Sequence, residues 1–191
     1  MGGIRTWAAR HNLQRIINFY HVVRGCMREA IDTTAMGERD RVLVEARRDD
    51  FEGALRTNTF LMLYAHLEEW LALLTNKYGS GHALPRGAGS NRSGLLRYKE
   101  VLRVVFAVDS AGPDWAFLVE SQKIRHCLLH ANGRIDLMIN TSELKRLAAK
   151  HALVVQHQRL TLPTEFLSAF AKSADRFVLV LLETTKASQD E

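Results

Sequence analysis

Residues 113–133, PDWAFLVESQKIRHCLLHANG, read as one helix with both ends written into the sequence. Pro113 suits a first turn, where its missing amide hydrogen has no intrahelical use. Trp115, Leu118, Ile124 and Leu128 supply core contacts, and Asn132-Gly133 stops the helix. A helix this well delimited sets the expectation for its neighbours, and the same period recurs on both sides.

Upstream, Ile4, Trp7, Ala8, Ile16, Ile17, Phe19, Tyr20, Val23 and Met27 predict a helix over about residues 4–31, ending near Asp32-Thr33-Thr34 to Gly37. A second pattern, with Leu55, Leu63, Leu67, Trp70, Leu71 and Leu74, runs from about Arg41 to Tyr78. Gly53 is a point where it can break, and Gly79 suits its C-terminal end. Residues 79–94, GSGHALPRGAGSNRSG, hold five of the twelve glycines and form a long basic loop. Leu95, Tyr98, Leu102, Val105 and Phe106 predict a helix over 95–108, closed by Ala111-Gly112.

Downstream, Ile135, Leu137 and Ile139 alternate in the manner of a short strand. Asn140 or Thr141, with Glu143 following, suits the start of a helix over 142–151. Residues 153–160 are again strand-like, which allows a small two-stranded ribbon. Pro163-Thr164 opens a last helix carrying Phe166, Phe170, Phe177, Val178 and Leu181. The expectation is an all-α chain of five or six helices with at most a small β-ribbon.

The chain has 191 residues, 47% hydrophobic and 25% charged, which suits one domain and is far from the composition of disordered, collagenous or repeat chains. Its longest apolar runs are too short to span a bilayer, and its N-terminus lacks the apolar core of a secretory signal. Cys26 and Cys127 sit singly inside apolar patterns and read as reduced, so the expected compartment is the cytoplasm.

The net charge of +5 is unevenly spread. Residues 77–134 carry nine basic side chains (Lys77, Arg86, Arg92, Arg97, Lys99, Arg103, Lys123, Arg125, Arg134) against four acidic ones, whereas the flanking segments are balanced. A local positive field attracts polyanions, nucleic acid first among them; a solvated basic face is the plainer alternative.

Within that third, Arg125, His126 and His130 share the last turns of the helix. Positions five apart are displaced by about 140° around the axis and roughly 7.5 Å along it, a gap that a guanidinium can bridge. Arg125 and His130 can then flank one phosphate. A neutral imidazole takes a proton from a ribose 2′-hydroxyl, and a guanidinium stabilises the charge that builds on phosphorus. The other reading of the pair is a helix-end cation and a partly buried histidine. His126 can orient the phosphate, act as a second acid or sit as a polar group at a subunit seam. The His126–His130 spacing also permits a metal, but no carboxylate or cysteine pair accompanies it, so no metal and no cofactor is expected. Cys127, between Ile124 and Leu128, looks buried rather than nucleophilic.

The segment IRHCLLHANGRI resembles the signature of HEPN domains (higher eukaryotes and prokaryotes nucleotide-binding), in which Arg, four to six residues and His form a ribonuclease motif, with a polar residue after the Arg. Arg125, His126 and His130 match those positions, and Asn132-Gly133 also fits. The upstream LYAHLEEWLALL, residues 63–74, is similar to the helix that pairs with the motif helix, and Trp115 stands where members often carry an aromatic residue. The likeness covers residues 51–185 in outline and is strong over 115–136.

The resemblance implies a single HEPN-like domain over 1–191 with an N-terminal helical extension (about 4–35). It also implies a homodimer that brings two Arg–His pairs into one cleft, and metal-independent cleavage of RNA, often by toxins or phage-defence effectors. Other members are non-catalytic modules for RNA or nucleotide binding or for dimerisation. Members paired with a nucleotidyltransferase antitoxin commonly carry Tyr two residues after the His; Asn132 stands there in this chain. Lys123, Arg134, Asn132, Arg97 and Lys99 are the candidate contacts to the rest of an RNA strand, and Glu68 is a candidate partner that would hold Arg125 or His126 in order. His66, His82, His151 and His157 show no partner pattern.

Overall fold

The computed structural model describes residues 2–29, 36–78, 94–108 and 112–187. The side chains of Ile4 and Trp7, the helix end at 32–34, the loop over 79–93 and Ala111 lie outside the described residues. Six α-helices and one two-stranded ribbon make up the described fold, an all-α bundle with a small β element. The helices are α1 (Gly2–Glu29), α2 (Glu38–Tyr78), α3 (Lys99–Val105), α4 (Pro113–Ala131), α5 (Thr141–Lys150) and α6 (Thr164–Ala187); the strands are β1 (Val154–Gln156) and β2 (Arg159–Thr161).

The core lies where α1, α2, α4 and α6 meet. Phe60 of α2, Phe166 and Phe170 of α6 and Phe117 of α4 form an edge-to-face aromatic cluster with ring centroids 5.1–6.4 Å apart. The expected stripes are largely buried: Leu63, Leu67, Leu71 and Leu74 on α2, where Leu55 and Trp70 are only partly so, Trp115, Leu118, Ile124 and Leu128 on α4, and Phe166, Phe170, Phe177, Val178 and Leu181 on α6. Ala9, Leu13 and Tyr20 of α1 join the same core, so the first helix is packed on its own bundle.

Helix α2 runs unbroken through Gly53. A glycine there costs the helix roughly 0.5–1 kcal/mol, but its neighbour Glu52 anchors the segment. The buried Glu52 carboxylate accepts from Arg24 Nε (3.1 Å) and Arg28 Nε (2.8 Å) of α1 and from Arg56 Nη1 (3.4 Å) of α2. Burial alone would raise the Glu52 carboxyl, yet Arg28 and Arg24 hold it below the usual range.

Two local expectations change. The segment 95–108 begins as a 3₁₀ turn over Gly94–Tyr98 and becomes α-helical only over α3. The side-chain oxygen of Gln122 on α4 accepts the Leu95 amide at 3.0 Å, and a Cβ on Gly94 (φ +57°) would lie 2.6 Å from the same side chain. Residues 134–139 are not a strand: Ile135–Leu137 is a 3₁₀ turn, and only Arg134 bridges Arg159 of β2. Ile135 is buried while Leu137 and Ile139 are exposed, and the Thr141 hydroxyl reaches the carbonyls of both Ile135 (3.0 Å) and Met138 (2.7 Å), curling the chain. Asn140 occupies the N-cap of α5 without a side-chain cap bond.

The ribbon is therefore a hairpin of 154–161 with itself, with Val154 opposite Thr161 and Gln156 opposite Arg159. Its two turn residues, His157 and Gln158, both have positive φ (47° and 62°), the conformation that matches a two-residue turn to strand twist. No described helix is long and apolar enough to cross a membrane.

Candidate functional site

Helix α4 presents its motif at the end that the hairpin grips. Asn132 adopts left-handed geometry (φ 49°), and its amide and that of Gly133 both return to the carbonyl of Cys127. Gly133 (φ +77°) then accepts a hydrogen bond from the Leu160 amide at 2.8 Å, and a Cβ on it would meet the Leu160 carbonyl at 2.9 Å. Only glycine lets α4 and the hairpin approach this closely. The Arg134 amide bonds the Ala131 carbonyl (2.8 Å) and the Ile135 amide that of Gln158 (2.9 Å), which completes the clamp.

On this held helix end, His126 and His130 are both exposed, one turn apart, with ring centroids 4.4 Å from each other. Arg125 turns the other way, onto α2. Its guanidinium lies 4.9 Å from the centre of the Tyr64 ring and 3.4 Å from a Glu68 carboxylate oxygen. The carboxylate fixes one end of the guanidinium fork, and the ring covers its face. Arg125 and Glu68 remain partly open to solvent, at 29% and 21% of their side-chain surface. With five N–H donors and one carboxylate oxygen within reach, the guanidinium keeps donors for a ligand.

Tyr64 is the residue that sequence reasoning missed. It is fully buried, its hydroxyl has no hydrogen-bond partner, and burial followed by the nearby Glu68 charge pushes its phenol far above the ordinary value, with Arg125 opposing. Its place three residues after Leu61 and four before Glu68 on a helical stripe marks it as a core aromatic; only the tertiary fold shows that it lies under Arg125.

The other candidates are dispersed. Lys123 pairs with Glu143 of α5, and Arg134 forks onto Asp136 at 2.6 and 3.2 Å. Arg97 folds over the adjacent Tyr98 ring, 4.7 Å from its centre. Lys99, at the start of α3, and Asn132 are exposed. Among the described residues no hydrogen bond or ion pair links Arg97 or Lys99 to Arg125, His126 or His130. Two histidines read as incidental have partners: His66 bonds the Ala9 carbonyl (3.1 Å), tying α2 to α1, and His151 bonds Glu120 (2.8 Å). His82 lies outside the described residues.

Among the described residues no three His, Cys, Asp or Glu side chains gather in a way that could hold a metal ion. Cys127 is fully buried, and burial raises its thiol above the usual range, so it is not poised as a nucleophile.

His126 titrates below the usual histidine value of 6.5, first through desolvation and then through the charges of His130 and Arg125. Below pH 6.5 the unfolded chain takes up a proton that the folded His126 still refuses. Its contribution to stability is therefore present above 6.5 and lost as pH falls toward the depressed folded value. We expect an NMR titration to give His126 a midpoint below 6.5. His126→Gln should flatten the slope of stability against pH in that window; a midpoint above 6.5 would contradict the crowding of the two rings.

Compared with protein-family models, with curated proteins and with solved structures, the chain matches none.

Proposed function

We propose that the protein is a metal-independent endoribonuclease of the HEPN type, cytoplasmic and homodimeric. It would act as a toxin or phage-defence effector, with an antitoxin protein as a partner. The observation that carries this reading is the division of labour on α4: two exposed imidazoles 4.4 Å apart, and on the same helix a guanidinium held against α2 by Tyr64 and Glu68 with donors to spare.

In the proposed reaction the neutral imidazole of His130 takes the proton of a ribose 2′-hydroxyl. The 2′-oxygen forms a bond to the adjacent phosphorus, and the bond from phosphorus to the 5′-oxygen breaks. The departing oxygen keeps the electron pair and is protonated by solvent, leaving a 2′,3′-cyclic phosphate. Arg125 clamps the phosphate and stabilises the charge on its oxygens, and His126 is an auxiliary polar group. Exposed Leu129, Leu137 and Ile139, close in sequence to the imidazoles, offer the apolar area by which two copies would meet.

The test is single-stranded RNA incubated with the purified protein in excess chelator. Cleavage with a 2′,3′-cyclic phosphate at the new end is the expected result. Cleavage that vanishes with chelator would overturn the mechanism. Absence of cleavage, with dimerisation retained, would favour the non-catalytic module, a reading that the Arg125–Glu68 pair also fits.

A further inference from the structure

On a different side of α4 from the motif, an open groove of about 630 Å³ runs along α6. Phe117 of α4 and His151, just beyond α5, form its aromatic end; Ser168, Lys172, Ser173 and Arg176 of α6 form its polar wall. Ser168, Lys172 and Arg176 are four apart and therefore share one face, with Ser173 beside them. With Glu165, the one carboxylate among its lining residues, the stripe extends over twelve residues, about 16 Å of helix. That is far longer than a single small anion needs.

The cations in the groove are not spent. Arg176 uses Nε and Nη2 on Asp114 (2.9 and 2.6 Å) and shares Nη2 with Ser173 (3.2 Å), which leaves both Nη1 hydrogens for an incoming oxyanion. Asp114 orients the fork without saturating it. Lys172 is exposed and pairs with no carboxylate among the described residues. At the other end, the Phe117 and His151 rings lie 5.0 Å apart, and Glu120 fixes the imidazole through Nε2 at 2.8 Å. Lys150 in turn holds both Glu120 oxygens at 2.8 Å. Two cations with donors to spare beside a fixed aromatic pair in an open channel are elements by which proteins hold single-stranded nucleic acid.

We propose that the α4–α6 groove is a second contact for single-stranded RNA, in which Lys172 and Arg176 meet backbone phosphates while Phe117 and His151 offer a surface to a base. It rests on the reading of RNA as the ligand and adds a face for the strand outside the motif.

The test uses the full chain carrying His130→Ala, so that RNA survives, and measures the affinity for a short labelled single strand across a salt series. Lys172→Ala should weaken binding several-fold at low salt and lower the slope of log affinity against log salt by about 0.7, the value of one phosphate contact to a single strand. Lys172→Glu should lower both further, while Arg39→Ala, which does not line the groove, should leave them unchanged. Both Lys172 variants change an exposed side chain and should keep the fold. An unchanged slope in both would overturn the proposal. Competition by inorganic phosphate with an unchanged RNA slope would overturn it too, in favour of a small-anion site. The nuclease reading fails separately: a slope that falls in a protein whose parent never cleaves RNA keeps the groove and removes the reaction.

Discussion

Replacing His130 with alanine should lower RNA cleavage about a hundredfold to ten-thousandfold, the range that a positioned general base contributes, with no measurable change in melting temperature. The second half of that expectation is what makes the experiment decisive. His130 is exposed, and exposed positions outside caps and networks usually change stability by no more than about 0.5 kcal/mol. Arg125→Ala should also abolish activity, but it strips Glu68 of its cation and uncovers Tyr64, so its loss mixes chemistry with packing. Arg125→Lys keeps the charge and loses the planar fork; it should rescue folding more fully than cleavage. Rate assays paired with thermal melts on the three variants check this. Full activity in His130→Ala would remove the imidazole from the mechanism.

Phe60→Ala should be the most damaging change to the fold, costing about 3–5 kcal/mol as expected for a large aromatic removed from a tight core. Phe60 is fully buried and meets Tyr64, Phe166 and Phe170 at centroid distances of 6.0, 5.5 and 5.1 Å. Those neighbours sit on α2 itself and on α6, all within one packed core, so the space left behind is expected to stay largely open. For a chain of this size the cost corresponds to a melting shift of about 10 °C. Because Tyr64 also underlies Arg125, the variant should lose activity at temperatures where it is still mostly folded. A loss under about 1 kcal/mol in a denaturant titration would mean that the aromatic cluster repacks.

What the sequence made legible depended on how local the cause was. Helix α4 announced itself through Pro113 at one end and Asn132-Gly133 at the other, signals that act within a turn. The apolar stripes of α2 and α6 were readable because periodicity survives any tertiary arrangement. The continuity of α2 through Gly53 was not readable, since what supports it is a carboxylate gripped by arginines 24 and 28 residues away in the chain. The alternation of Ile135, Leu137 and Ile139 suggested a strand, but a single hydroxyl from Thr141 and the absence of a pairing partner beyond Arg134 bent it into a turn. In the candidate region, the closeness of His126 and His130 was legible from their four-residue spacing, and Glu68 meeting Arg125 was one of the two pairings expected of it. Tyr64 was not legible, because a buried aromatic on a helical stripe carries no sign of what lies above it.

The hairpin is small, yet it holds the end of the helix that carries His130. Its Leu160 backbone meets Gly133 through a hydrogen bond, and Gln158 at the turn holds Ile135, so the exit of α4 is tethered to a segment some 25 residues downstream. Lengthening that turn, or giving Gly133 a side chain, would let the last coil of α4 fray and leave the imidazole wandering relative to its guanidinium. If the proposed reaction holds, its rate is tunable from residues 157–160, a stretch of surface that includes none of the proposed reacting groups.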